Sequence, residues 1–258
     1  MNPTADIKKG NGIEDLFRGF AAGKPEEVKE VEVAEGRFQM LLEKYRSILD
    51  VECDPLEALF WTELNKITDT LTPTDINKFL QTTIQHEQHK EYHWRTGRLI
   101  LRLIQNSYNA GHNDFAFDTT ALEEIGDFGS YLEGTEERPM EIAIKGNIGD
   151  WCGWKARHLT FNIQGSTGDW CGRESISSVF NIQGDAGRNC GKYSLGSTFN
   201  ITGSIGYNCG DQAHRLTFKT PNKETLREML RRIPTGNKII FIRKNGKEKV
   251  MRDYANNS

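Results

Sequence analysis

The sequence predicts an α+β protein: an N-terminal helical bundle or hairpin, then a single-stranded right-handed β-helix of nineteen-residue coils, then a cap of one helix and a β-hairpin. Three observations predict it. One unit recurs four times without a gap, from Gly146, Gly165, Gly184 and Gly203, and strict self-similarity at so short a period marks a solenoid. Before residue 113 the apolar side chains fall at helical spacing instead. Beyond residue 221 an amphipathic run precedes Asn245-Gly246, a strong short-range hairpin signal.

Residues 1–34 predict a mostly disordered arm, because 1–12 are polar and glycine-bearing and 23–35 are rich in Lys, Glu and Val without a usable apolar face. Within the arm Ile13, Leu16, Phe17 and Phe20 fall at i, i+3, i+4 and i+7. That stripe is too short to be a stable helix alone. It is a candidate docking peptide for a partner, or a clip onto its own domain.

Residues 35–112 predict a helical domain with helices over 35–49, 55–71 and 73–108. Phe38, Leu41, Leu42, Tyr45 and Leu49 give the first its apolar face, and Leu56, Leu59, Phe60, Leu64 and Ile67 the second. Thr72-Pro73-Thr74-Asp75 combines capping residues with a first-turn proline, so the third has a clear start. At about 36 residues it would span roughly 54 Å, projecting beyond the others or bending near Gly97.

On that third helix, His86, His89 and His93 are spaced i, i+3 and i+7, with Glu87 and Glu91 nearby. The His89/His93 pair has a spacing that chelates zinc or another borderline metal. A complete site needs a further ligand such as Glu57, Glu63 or His112. Neither His-Glu-x-x-His nor Glu-x-x-His is present. The plainer reading is a solvated helix face.

Residues 113–221 predict the β-helix, with a strand over Asp114–Asp118, an irregular coil around Gly126, Gly129 and Gly134, and a strand at Ile142-Ala143-Ile144. Four clear repeats follow over 146–220. Each begins Gly-x-x-Gly-x-x-Cys-Gly, which places cysteine at 152, 171, 190 and 209, and each later carries Phe161, Phe180, Phe199 or Phe218. Leu159, Phe161 and Ile163 alternate with Thr160, Asn162 and Gln164, so one face is apolar. Ser178 and Ser197 replace the first inward residue in the next two units. The glycines supply positive φ or close backbone approach at corners.

These glycines, Gly146, Gly149, Gly153 and their repeats, resemble the GXGXG β-helix found in the large chain of glutamate synthase and in one component of formylmethanofuran dehydrogenase. The likeness covers about 142–220 only. It implies a rigid shape and a scaffolding habit, not an activity, since that module is a structural domain without catalytic residues of its own.

Equivalent residues on neighbouring coils lie roughly 4.8 Å apart, which sets Cys152 about 14 Å from Cys209 and beyond the reach of one zinc with Zn–S bonds of about 2.3 Å. The cysteines read as a ladder of small side chains filling a corner, with redox pairing or thiolate metal binding as alternatives. Trp151 and Trp170 precede the first two, and Asn189 and Asn208 the later ones. With Trp154 they form either a contact site for another chain or a patch covered by the protein's own N-terminal helices.

Residues 222–258 predict a cap: a helix to Ile233, with Leu226, Met229, Leu230 and Ile233 on one side, then strands over 238–243 and 247–252. Residues 223–252 hold ten Lys or Arg against three Glu. Such a surface could attract RNA, DNA or an acidic protein, although Phe241 is its one aromatic for stacking.

Net charge is −3 and no apolar run approaches a membrane span. No run resembles a signal peptide, and the cysteine count of five is odd, so reduced thiols in the cytoplasm are expected. Phosphate-binding loops, a nucleophile elbow and paired zinc-finger cysteines are absent. The sequence therefore predicts a non-enzymatic scaffold or assembly subunit that meets a protein partner or its own copies, without cofactor or membrane. A metal-binding protein using His86, His89 and His93 and a self-assembling β-helical filament are the alternatives.

Overall fold

A computed structural model describes residues 29–52, 58–122 and 124–254. Ile13, Leu16, Phe17, Phe20, Cys53 and Glu57 lie outside the described residues. Four α-helices come first: α1 (Lys29–Leu49), α2 (Ala58–Asn65), α3 (Pro73–Thr82) and α4 (Tyr92–Asn109). Six parallel strands follow, β1 (Asp114–Asp118), β2 (Met140–Lys145), β3 (Leu159–Ile163), β4 (Val179–Ile182), β5 (Thr198–Ile201) and β6 (Thr217–Thr220). Then come α5 (Lys223–Arg232), β7 (Lys238–Ile242) and β8 (Glu248–Arg252). No helix among the described residues is long and apolar enough to cross a membrane.

The helical part departs from its predicted boundaries. The first helix starts at Lys29 rather than residue 35, and the second stops at Asn65, leaving Ile67 to reach the core from a loop while Leu59 faces solvent. The long third helix is two helices. Thr82 and Thr83 return their hydroxyls to the carbonyls of Phe79 and Leu80, both at 2.7 Å. This local competition, in a run of β-branched residues, favours a tighter turn: Thr83–His86 is 3-10 helix, and α4 begins only at Tyr92. Gly97 marks no bend. It lies inside α4, where a Cβ would collide with the carbonyl oxygen of Gly126, so it permits close contact between α4 and the first coil.

Buried Arg95 ties α4 to α1. Its guanidinium donates to the carbonyls of Ile48, Leu49 and Val51 at 2.9, 2.7 and 2.8 Å, the acceptors a helix C-terminus leaves unsatisfied and at its negative dipole end. Tyr45 bonds Thr96 at 2.7 Å across the same pair of helices.

The solenoid is built as the repeat predicts. β1 to β7 lie side by side in chain order, all parallel, and β8 closes the eight-stranded sheet antiparallel to β7. Phe161, Phe180, Phe199 and Phe218 are in register. Their rings stack at 5.0, 4.8 and 5.3 Å, and all four are fully buried. Single bridges through Ile148, Thr167, Ala186 and Ile205, and through Arg157, Ile176, Leu195 and His214, align the other sides of each coil. On the face of the sheet opposite the phenylalanines, Asn181 donates to Asn162 at 2.7 Å and Asn200 to Asn181 at 2.5 Å. Glycine serves two needs. Gly153 has φ +64°, and a Cβ there would lie 2.7 Å from the ring of Phe180. Gly165 has ordinary φ but rests against the backbone of Gly146.

The predicted irregular coil joins the same stack. Gly153 N–H donates to Phe128 O at 2.9 Å just as Gly172 N–H donates to Cys152 O at 2.7 Å. Phe128 thus occupies the cysteine position of an additional coil, with Gly129 at φ +71° beside it.

Both ends of the coil stack are covered. At the start, Asn77 of α3 accepts from Asp118 N–H at 3.1 Å and Gln81 donates to Asp118 O at 2.7 Å. α4 runs along the first coil: Gln105 exchanges two bonds with the backbone of Glu133 at 3.3 and 3.1 Å, and Tyr108 donates to Arg138 O at 2.6 Å. At the far end Leu226, Met229 and Ile233 are buried, whereas Leu230, predicted on the same side, is 37% exposed. Asn237, fully buried, accepts from Leu216 N–H at 3.0 Å. Two coils earlier Ser197 Oγ does the same for Ser178 N–H at 3.2 Å. The predicted hairpin is also not free-standing, because β7 pairs with β6 as the seventh parallel strand.

Candidate interaction surface

Each coil turns a corner around its Cys-Gly pair, and the residue before the cysteine must adopt positive φ there. Asn189 and Asn208 do so at +59° and +58°, and Trp151 and Trp170 at +65° and +66°. Asparagine tolerates this region, while for a bulky side chain it costs on the order of 1–2 kcal/mol. The tryptophans are half-buried, with rings stacked at 5.1 Å and nearly parallel, 9° apart. The Arg173 guanidinium lies 5.4 Å from Trp151 and 4.8 Å from Trp170.

The ridge extends both ways. Trp154 meets Trp151 at 5.1 Å and Tyr131 at 4.7 Å, and Tyr131 meets Trp61 of α2 at 6.2 Å. Lys155 sits over Tyr131 and Trp154, and Arg173 and Lys192 over Tyr193. Glu174 accepts an ion pair from Arg173 at 3.0 Å and one from Lys155 at 3.7 Å. The result is an alternating ladder of rings and cations from α2 to the fourth coil. Burial raises the Tyr131 phenol, so the ridge keeps its hydroxyl protonated. The predicted trio Trp151, Trp154 and Trp170 comes together here, and the helices touch the ridge through Trp61.

Beneath the ridge, Asp127 takes the position that Trp151 takes one coil later, again at positive φ, +56°. Its carboxylate accepts from Arg98 Nε at 2.6 Å, with both side chains buried. Burial pushes the Asp127 carboxyl up, against the opposing pull of Arg98. Sequence reasoning missed Tyr131, Tyr193, Trp61, Arg173 and the Arg98–Asp127 pair. Tyr131 and Tyr193 were visible in principle, since both fall four residues after a corner position.

The cysteine ladder is fully buried and its thiols are free. Hydrogen bonding to Cys171 and burial hold Cys152 and Cys190 well above the usual thiol range.

The three histidines do not form one face, because the helix beneath them is broken. His86 packs edge-on against Tyr45 at 5.5 Å, and burial, then Arg46, lower its pKa. His89 Nε2 lies 3.5 Å from Asp50 Oδ1, and His93 Nδ1 bonds the carbonyl of Glu124. Of the further predicted ligands, Glu63 pairs with Lys66 and His112 with Ser107. Among the described residues no group of three or more His, Cys, Asp or Glu is placed to hold a metal ion. No family model, curated protein or solved structure matches this chain, and what the structure supports is a parallel β-solenoid of nineteen-residue coils.

Proposed function

We propose that this protein is a non-enzymatic cytoplasmic scaffold or assembly subunit, whose ring-and-cation ridge receives a protein partner. The observation that carries the reading is the pair Trp151 and Trp170. They hold a backbone conformation that later coils assign to asparagine, yet stay half-exposed on the lateral face. Strain kept at a surface position points to a use beyond folding. The helices over the first coil and α5 over the last oppose end-to-end stacking of coils into filaments. The arm bearing Ile13, Leu16, Phe17 and Phe20 would add a second, tethered contact.

Trp151→Asn with Trp170→Asn tests this, because asparagine is already accepted at that corner. Affinity capture with quantitative mass spectrometry is compared between parent and variant, beside circular dichroism. Loss of a stoichiometric partner with an unchanged fold is the expected outcome. Retention of every partner by the folded variant would remove the ridge from the proposal.

A further inference from the structure

The two edges of the sheet are finished differently. At β1, the amide side chains of α3 occupy the backbone groups of Asp118. At β8, the last strand pairs only with β7 among the described residues and leaves its outer backbone row open. Arg243, Lys244, Lys247 and Lys249 surround that edge, all exposed, and none forms an ion pair among the described residues. The nearby acids are already engaged, Glu248 by Lys219 at 2.8 Å and Asp253 by Lys238 at 3.4 Å. Lys249 lies in β8 and Lys247 just before it, while Val250, 48% exposed, lies on the opposite face of the strand from Lys249.

We infer that β8 is a docking edge for an extended acidic polypeptide segment. The segment adds as a ninth strand through main-chain hydrogen bonds, while its carboxylates meet Lys247, Lys249 and the tip residues Arg243 and Lys244. The same lysines repel a second copy of β8, so one charge pattern selects the partner and blocks self-pairing. A polypeptide fits better than a nucleic acid. Only a polypeptide uses the open backbone row, and of the rings nearby Phe241 packs against the core while Tyr254 is tied to Thr217 at 2.5 Å and covered by Lys238, so neither offers bases a free platform.

The test uses the full chain and a fluorescein-labelled peptide of alternating Glu and Thr, followed by anisotropy at low salt, with amide hydrogen exchange read over 248–252. A peptide of equal charge with proline replacing threonine serves as control, since it lacks the donors for a ladder. We expect saturable binding of the first peptide, about tenfold or more tighter than the control, with slowed exchange in β8. Lys247→Glu with Lys249→Glu should weaken it at least about tenfold. The milder Lys247→Gln with Lys249→Gln should give an intermediate loss, which keeps the test open if charge reversal perturbs the hairpin. Trp151→Asn with Trp170→Asn should bind the peptide normally, so the ridge and the edge stand or fall separately. Equal binding of both peptides, unchanged β8 exchange, tighter binding of duplex DNA or no saturable binding would each overturn the inference.

Discussion

The repeated coils and the helical end satisfy their polar groups by opposite means. In the coils the same kinds of bond recur from one step to the next: Asn181 bonds Asn162, Ser175 bonds Ser194, and glycine N–H meets cysteine O. At the helical end every group meets something different, including an asparagine, a glutamine, a tyrosine and a buried arginine. The repeat spreads its stability over many equivalent small terms, whereas the end concentrates it in a few side chains that nothing else can replace.

The largest effect should come from within the repeat. Phe180→Ala removes a ring stacked between Phe161 and Phe199 and should cost about 3–5 kcal/mol in chemical denaturation. A loss below about 1 kcal/mol would mean that neighbouring coils close the gap and that the stack is loose. At the helical end, Arg98→Leu strands the buried Asp127 carboxylate and should cost about 3 kcal/mol. Loosening should begin at the junction, seen as faster amide exchange over 124–134 while the later coils stay protected.

The same junction carries a pH signature. The Asp127 carboxyl is raised above its ordinary value of 3.8, chiefly by burial, so the folded protein holds this proton more tightly than the unfolded chain. Its contribution is fully present below the unfolded value and falls as pH rises through the folded one. Asp127→Asn should remove that downward slope, which stability curves of parent and variant across the carboxylate range would reveal. A difference curve that is flat there would contradict the assignment.

A smaller effect is expected at the cysteines. Cys190→Ala should cost about 1–2 kcal/mol, and the four ladder thiols should resist alkylation until the protein is unfolded. Smallest of all is Trp151→Asn, where relief of backbone strain offsets the lost stacking with Trp170, for a net change within about 1 kcal/mol. A loss well above that would make the ridge a structural element of the corner.

This contrast also explains what the sequence makes legible. The Phe ladder, the corner glycines and the seal of Leu226, Met229 and Ile233 can be read because repetition or helical spacing states the same fact several times. The coil around Phe128 cannot. Cysteine is replaced by phenylalanine, and Gly129 stands twenty-four rather than nineteen residues before Gly153. The break after Thr82 is hidden because Tyr92, Leu99 and Leu103 resume an apolar pattern beyond it, and two threonine hydroxyls decide the matter locally. The histidine face falls with that helix. Trp61 and Tyr131 meet only through the docking of α2 beside the first coil, a contact between distant segments that no local pattern encodes. β7 reads as half of a hairpin because α5 interrupts the period, although the strand returns to the same sheet.

The stacked phenylalanines also make the body a ruler. Each unit advances the chain by one ring spacing, 4.8 to 5.3 Å, and a unit gained or lost in register leaves its neighbours' contacts unchanged in kind. The distance between the helical end and the basic edge at β8 is therefore set in whole graduations. Duplication of nineteen residues would lengthen that span by one step while both ends kept their own chemistry.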